Sequence, residues 1–124
     1  MNSTFTKVLR VILALGLLAF GLNKFVNFMT LPELPEQAAN FMASLSATGY
    51  VLPIVAGLEI FIGLLLLFNK WTPFALLLLA PISINIVLFH LFLDMPGIGG
   101  AVAIFLLNTI LIYKHWKAYR SLFQ

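Results

Sequence analysis

Residues 11–22 contain no polar side chain, and they sit inside the first of four long apolar stretches. Crossing a hydrocarbon core of about 30 Å takes about 20 mostly apolar residues in a helix. Four segments meet that need, at about 5–28, 50–68, 71–93 and 97–113. Each run is continuous rather than alternating, and in lipid only a helix satisfies its own backbone without closing into a barrel. Composition points the same way: 62% of the 124 residues are hydrophobic and 9% are charged, against about 25% charged in a soluble domain. So few polar side chains could not cover the surface of a water-soluble fold. The expected fold class is all-α, a four-helix bundle integral to the membrane and forming one domain over residues 1–124. A soluble enzyme, a disordered tail and a nucleic-acid partner are excluded, and the first partner is the lipid bilayer.

The seven basic residues set the expected orientation. Lys7 and Arg10 open the first span, Lys70 lies between spans two and three, and Lys114, Lys117 and Arg120 follow span four. Lys24 falls at the other end, where Glu33, Glu36 and Asp94 also lie. Lys and Arg near span ends mark the cytoplasmic side, so both termini are expected in the cytoplasm, with a basic tail over 114–124. Arg10 and Lys24 can snorkel their charges outward along apolar stems. Trp71, Tyr113, Trp116 and Tyr119 gather on the inner side as an interfacial belt. The tail is expected to continue span four as a helix near anionic headgroups. Lys7 and Arg10 before a 12-residue apolar core also resemble the start of a signal peptide, but no small-x-small cleavage site follows, and the segment is expected to remain as a span.

The first connection is the long one. Pro35 is suited to a first helical position, and Ala38, Phe41, Met42 and Leu45 then recur at helical spacing before Gly49. This predicts a short amphipathic helix at about 35–46, on the outer membrane surface or over the mouth of the bundle, either as a packed cap or as a lid. Pro53 and Pro73 fall in first turns, whereas Pro81 lies inside span three and predicts a kink or local unwinding. Gly16, Gly21, Gly57, Gly63, Gly99 and Gly100 are candidates for close helix approach.

Ionisable groups in spanning segments are costly and default to functional hypotheses. Glu59 is the foremost, near the middle of span two, where its carboxyl is expected to face the bundle interior as a ligand- or proton-binding group or as interhelical glue. Lys24 is its natural partner, with a stem able to reach down to Glu59 or up to the headgroups. Asn23 and Asn27 flank Lys24 on one polar face. Asn85, at a depth similar to Glu59, and His90, nearer the outside, complete the set of candidate binding residues. Five residues apart, they point about 140° from each other and need not share a cavity. Asn108 reads as interhelical glue and His115 as interfacial. The chain has no cysteine, and its His, Asp and Glu residues lack metal-ligand spacing, so no metal is expected and no catalytic residue is identified.

The stretches Leu13-Ala-Leu-Gly-Leu-Leu-Ala-Phe-Gly-Leu-Asn-Lys-Phe, Thr48-Gly-Tyr, Glu59-Ile-Phe-Ile-Gly-Leu-Leu-Leu-Leu and Ala80-Pro-Ile-Ser-Ile-Asn-Ile-Val-Leu-Phe-His-Leu-Phe-Leu-Asp resemble the DoxX family. The run from Pro81 to Asp94 is the most specific of them. The resemblance implies a small four-helix protein of the bacterial inner membrane, with relatives that include a subunit of a thiosulfate–quinone oxidoreductase. It places Lys24, Glu59, Asn85 and His90 on the family's polar motifs and implies quinone as a candidate cofactor. The expected function is an accessory or scaffold subunit of a membrane complex, quinone-linked and redox-active through its partners. The alternative is a carrier or channel component for a proton, lipid or small lipophile that uses Glu59. Action as an enzyme alone is disfavoured, because no cysteine, metal-cluster or nucleotide motif is present to carry electrons. A membrane protein partner or a homo-oligomer is expected.

Overall fold

The computed structural model describes residues 4–26 and 33–124. Six helices follow in order: α1 (Thr4–Val26), α2 (Glu36–Ala47), α3 (Val51–Leu67), α4 (Thr72–Leu93), α5 (Ile98–Lys114) and the short α6 (Trp116–Tyr119). A 3-10 turn, Met95–Gly97, leads into α5, and another, Arg120–Phe123, closes the chain. No strand occurs among the described residues. α1, α4 and α5 with its leading turn are long and apolar enough to cross a membrane, and α3 adds a fourth span when joined to α2 across a 92° bend. The chain is an all-α membrane helical bundle. α2 therefore lies nearly perpendicular to α3, across one end of it.

The four long helices form a ring in which α1 packs chiefly on α3 and α4 on α5, with lighter α3–α4 and α1–α5 contacts closing it. Leu13, Ala14, Leu17, Ile62, Leu66, Ala75, Leu76, Leu79 and Leu111 fill its centre. Large apolar side chains such as Leu15, Phe61 and Leu88 point outward, which suits a bundle whose solvent is lipid. Lys114 Nζ lies 5.8 Å above the Phe5 ring, so the start of α1 and the end of α5 share one end of the ring, the basic end. α2 and Asp94 lie at the opposite, distal end.

Several local expectations are corrected. Arg10 does not snorkel outward. It is 8% exposed and turns inward, donating through Nη1 to the carbonyls of Leu66 and, at 3.3 Å, Leu67. The last four carbonyls of a helix have no partner within it and carry the negative end of its dipole, so the guanidinium closes α3 from the neighbouring helix. α4 is unbroken through Pro81, with no local unwinding. One turn past the proline, Asn85 Nδ2 donates to Pro81 O at 2.8 Å.

The tail also departs from a simple continuation of α5. The chain turns at His115, whose Nδ1 lies 2.9 Å from Leu111 O. α6 then brings Tyr119 into a buried position, where its hydroxyl donates to Pro73 O at 2.6 Å. Burial pushes the Tyr119 phenol up to about 12. Trp71, Tyr113 and Trp116 remain exposed, so the aromatic cluster is three outward side chains and one inward anchor. Among the candidate glycines, Gly21 and Gly63 make close approaches. A Cβ on Gly16, Gly57, Gly99 or Gly100 would meet nothing within 4 Å.

Candidate functional site

The centre of the site is set by how closely α1 can lie against α3. A Cβ on Gly21 would fall 2.9 Å from Ile60 Cγ1, 3.1 Å from Ala56 O and 3.2 Å from Glu59 Cβ. One on Gly63 would fall 2.8 Å from Leu18 Cγ and 3.2 Å from Ala14 O. The two glycines alternate across the seam, each receiving the other helix, as small residues do between membrane helices. The approach at Gly21 presses α1 onto the turn of α3 that carries Glu59. Lys24, three residues further along, lies over the same face.

Lys24 Nζ donates to Glu59 Oε1 at 2.7 Å. The carboxylate side chain is 3% exposed and that of Lys24 is 29% exposed. Glu59 is about 12 Å into α3 from its first residue at about 1.5 Å per residue, and an unpaired carboxylate at such a depth would be prohibitively desolvated. Of the two routes open to the Lys24 stem, the fold takes the one down to the carboxylate. The pair is lopsided: its anion is sealed and its cation reaches the surface.

Lys24 also lines a cleft of about 210 Å³ with Phe25, Ser46, Gly49, Leu52, Pro53 and Ala56. Its mouth is shaped by the turn from α2 into α3. There Gly49 takes the left-handed backbone conformation at φ +80°, open to glycine at little cost. Thr48 Oγ1 donates to Leu45 O at 2.6 Å and accepts from the backbone N–H of Val51 at 3.2 Å. One side chain thereby ends α2 and begins α3. α2 turns Ala38, Met42 and Leu45 toward the bundle, and Phe41 meets the Phe89 ring at 5.7 Å, so the amphipathic helix packs across the distal end.

The four candidate binding residues do not converge. Lys24 and Glu59 are joined. His90 Nδ1 lies 3.2 Å from Asp94 Oδ2, at the distal end of α4, beside Gly97, where a Cβ would be 2.6 Å from Asp94 Oδ2. Asn85 is exposed on α4. Asn23 is buried, and Asn27 lies outside the described residues. In the other half of the ring, Asn108 Nδ2 donates to Leu76 O and Ser83 Oγ donates to Asn108 Oδ1, both at 3.0 Å, so Asn108 does tie α4 to α5. Two partners escape the sequence reading, Ser83 and Arg10. The signal for Arg10 was present, because extending the stripe of Gly21, Leu17 and Leu13 back by helical spacing arrives at it.

Among the described residues, no three His, Asp or Glu side chains come together as metal ligands would. The arrangement can hold an anion sealed in apolar surroundings against a cation with donors to spare: an ammonium has three N–H groups, and one of them goes to Glu59. No curated protein and no solved structure matches the chain. The DoxX family model matches residues 5–91, a stretch that takes in α1 after its first residue, α2, α3 and all of α4 but its last two residues. The match covers well over half of the sequence, its Lys24–Glu59 seam included, and the chain belongs to the DoxX family.

Proposed function

We propose that the chain is an accessory subunit of a membrane redox complex, and that it holds a small lipophile with a polar head group, of the quinone class, against Lys24. The observation that carries this reading is the cleft of about 210 Å³ that Lys24 lines beside its bond to Glu59. The cleft is open on one side and lined by Lys24 and Ser46 as well as by apolar side chains, so it has room for a single-ring polar head group with its tail in lipid. A ring carbonyl would accept a hydrogen bond from Lys24 Nζ, while Glu59 fixes the ammonium in place and keeps its charge compensated. Phe25, Leu52 and Pro53 would flank the ring. Quinone chemistry would supply electron transfer, with the remaining redox centres on partner subunits. In this reading the whole chain acts as one unit of a bacterial inner membrane. The basic end, with both termini, faces the cytoplasm, and the cleft faces outward, in keeping with six of its seven basic residues.

Native mass spectrometry of the protein extracted gently from its own membranes tests the proposal. The expected result is a quinone-sized mass retained by the wild type and lost in Glu59→Gln, together with a protein partner at fixed stoichiometry. A homo-oligomer carrying ordinary phospholipid alone, unchanged by the substitution, would overturn it.

A further inference from the structure

The outward face of α4 carries a polar side chain where lipid would otherwise be its neighbour. The buried positions of α4 are Thr72, Ala75, Leu76, Leu79 and Ser83. Asn85 is two residues past Ser83, about 200° around the helix, and so points away from the core. It lies eight residues from the distal end of α4, about 12 Å at about 1.5 Å per residue, a depth inside the hydrocarbon. Its one hydrogen bond among the described residues is from Nδ2 to Pro81 O. Its carbonyl oxygen and second N–H face outward, where lipid tails offer them nothing.

The neighbours of Asn85 on that face follow a pattern. Phe74, Leu78, Pro81, Asn85, Leu88 and Phe92 recur at spacings of four and three in alternation, the repeat that lays one straight seam along a helix for a parallel partner. Phe74, Leu88 and Phe92 are 49%, 42% and 75% exposed and Pro81 and Asn85 are exposed beside them, whereas Leu78 packs partly against the core, so the bundle leaves the seam uncovered everywhere but at Leu78. The single polar position is central. We propose that a second copy of this chain covers the seam, with the two α4 helices parallel about a two-fold axis and the Asn85 amides bonded to each other.

A second copy fits better than a different protein because of the chemistry of the amide. Asn carries donors and an acceptor together, so across a two-fold axis each Asn85 gives an N–H to the other's carbonyl and both are satisfied. The seam holds no charge that would call for an opposite charge on a partner. A lone Asn in an otherwise apolar seam also fixes register and pairing in parallel helices. The inference does not depend on the Lys24 cleft, which lies in the α1–α3 half of the molecule.

The chain has no cysteine, which makes a direct test simple. Single-cysteine variants of the full chain in liposomes, Leu88→Cys, Phe92→Cys and Leu15→Cys, are oxidised at low protein density. The first two are expected to form covalent dimers. Leu15→Cys, at an exposed position on α1, is expected to stay monomeric. In parallel, energy transfer between labelled copies should show wild-type dimers and, in Asn85→Leu, a dissociation constant raised about tenfold, the scale of an interhelical amide bond in lipid. Equal crosslinking at Leu15 and Leu88, or an Asn85→Leu dimer as tight as the wild type, would overturn the proposal. So would crosslinking of Leu88→Cys in native membranes to a protein of different mass. Should Leu88→Cys fail to fold, Phe92→Cys carries the same test.

Discussion

The two halves of the ring are held in chemically different ways. Between α1 and α3 the polar contacts are charged: Arg10 on the last carbonyls of α3 and Lys24 on Glu59. Between α4 and α5 they are neutral, with Ser83, Asn108 and the Leu76 carbonyl linked in a chain. The charged contacts stand on backbones brought together by Gly21 and Gly63, whereas the α4–α5 contact at Asn108 is bridged by side chains. A neutral amide can hold helices together in apolar surroundings at modest cost, while a buried charge demands a close partner of opposite sign. The expensive chemistry therefore sits where the helices approach most closely, and that is also where the cleft opens.

Substitutions on each side sharpen this contrast. The largest effect is expected from Lys24→Met, which strands the sealed Glu59 carboxylate. We expect a loss of about 3 kcal/mol, the scale of breaking a buried pair, in denaturation of the detergent-solubilised protein. Glu59→Gln should cost clearly less, because the released Lys24 can reach the interface. Equal costs for the two would break the picture of a sealed anion and an open cation. Next is Gly63→Val, whose added atoms meet Leu18 and the Ala14 carbonyl. Overpacking of this kind costs about 2 kcal/mol, and pushing α1 from α3 should also lengthen the Lys24–Glu59 contact, visible as a smaller further loss when Lys24→Met is added to Gly63→Val. The smallest is Asn108→Leu, expected to cost about 1 kcal/mol in the same denaturation assay, as hydrogen bonds between membrane helices do, with the cleft unaffected. A collapse of the whole fold in Asn108→Leu would show that the neutral half, not the charged one, sets its stability.

The class of the fold was legible because lipid leaves the backbone so few options. Four apolar runs and the prolines and glycines near their ends are enough to expect a helical bundle. The burial and pairing of Glu59 were legible for a related reason, since a carboxyl in such a run needs a partner. What could not be read was which way each helix faces. α4 is apolar on all sides, so its sequence carries no rotational signal, and Ser83 and Asn85, two residues apart, were indistinguishable until the structure turned one inward and the other out. Arg10 was misread because an arginine near a span end has two good destinations, the headgroups and a neighbouring helix's bare carbonyls. The choice depends on where α3 ends relative to α1, a tertiary fact. The turn at His115 has the same origin, since what it brings together is the Tyr119 hydroxyl and the Pro73 carbonyl of another helix.

The brevity of α3 bears on the membrane itself. Its 17 residues extend about 26 Å at 1.5 Å per residue, whereas the 22 of α4 extend about 33 Å. Thr48 bonds the first turn of α3 and the Arg10 guanidinium its last carbonyls, while the exposed Tyr50 and Phe68 beside its two ends add a little apolar length. Acyl chains beside α3 are expected to shorten where those beside α4 need not, at a cost of fractions of a kcal/mol per ångström of mismatch, so that short lipid chains gather against α3.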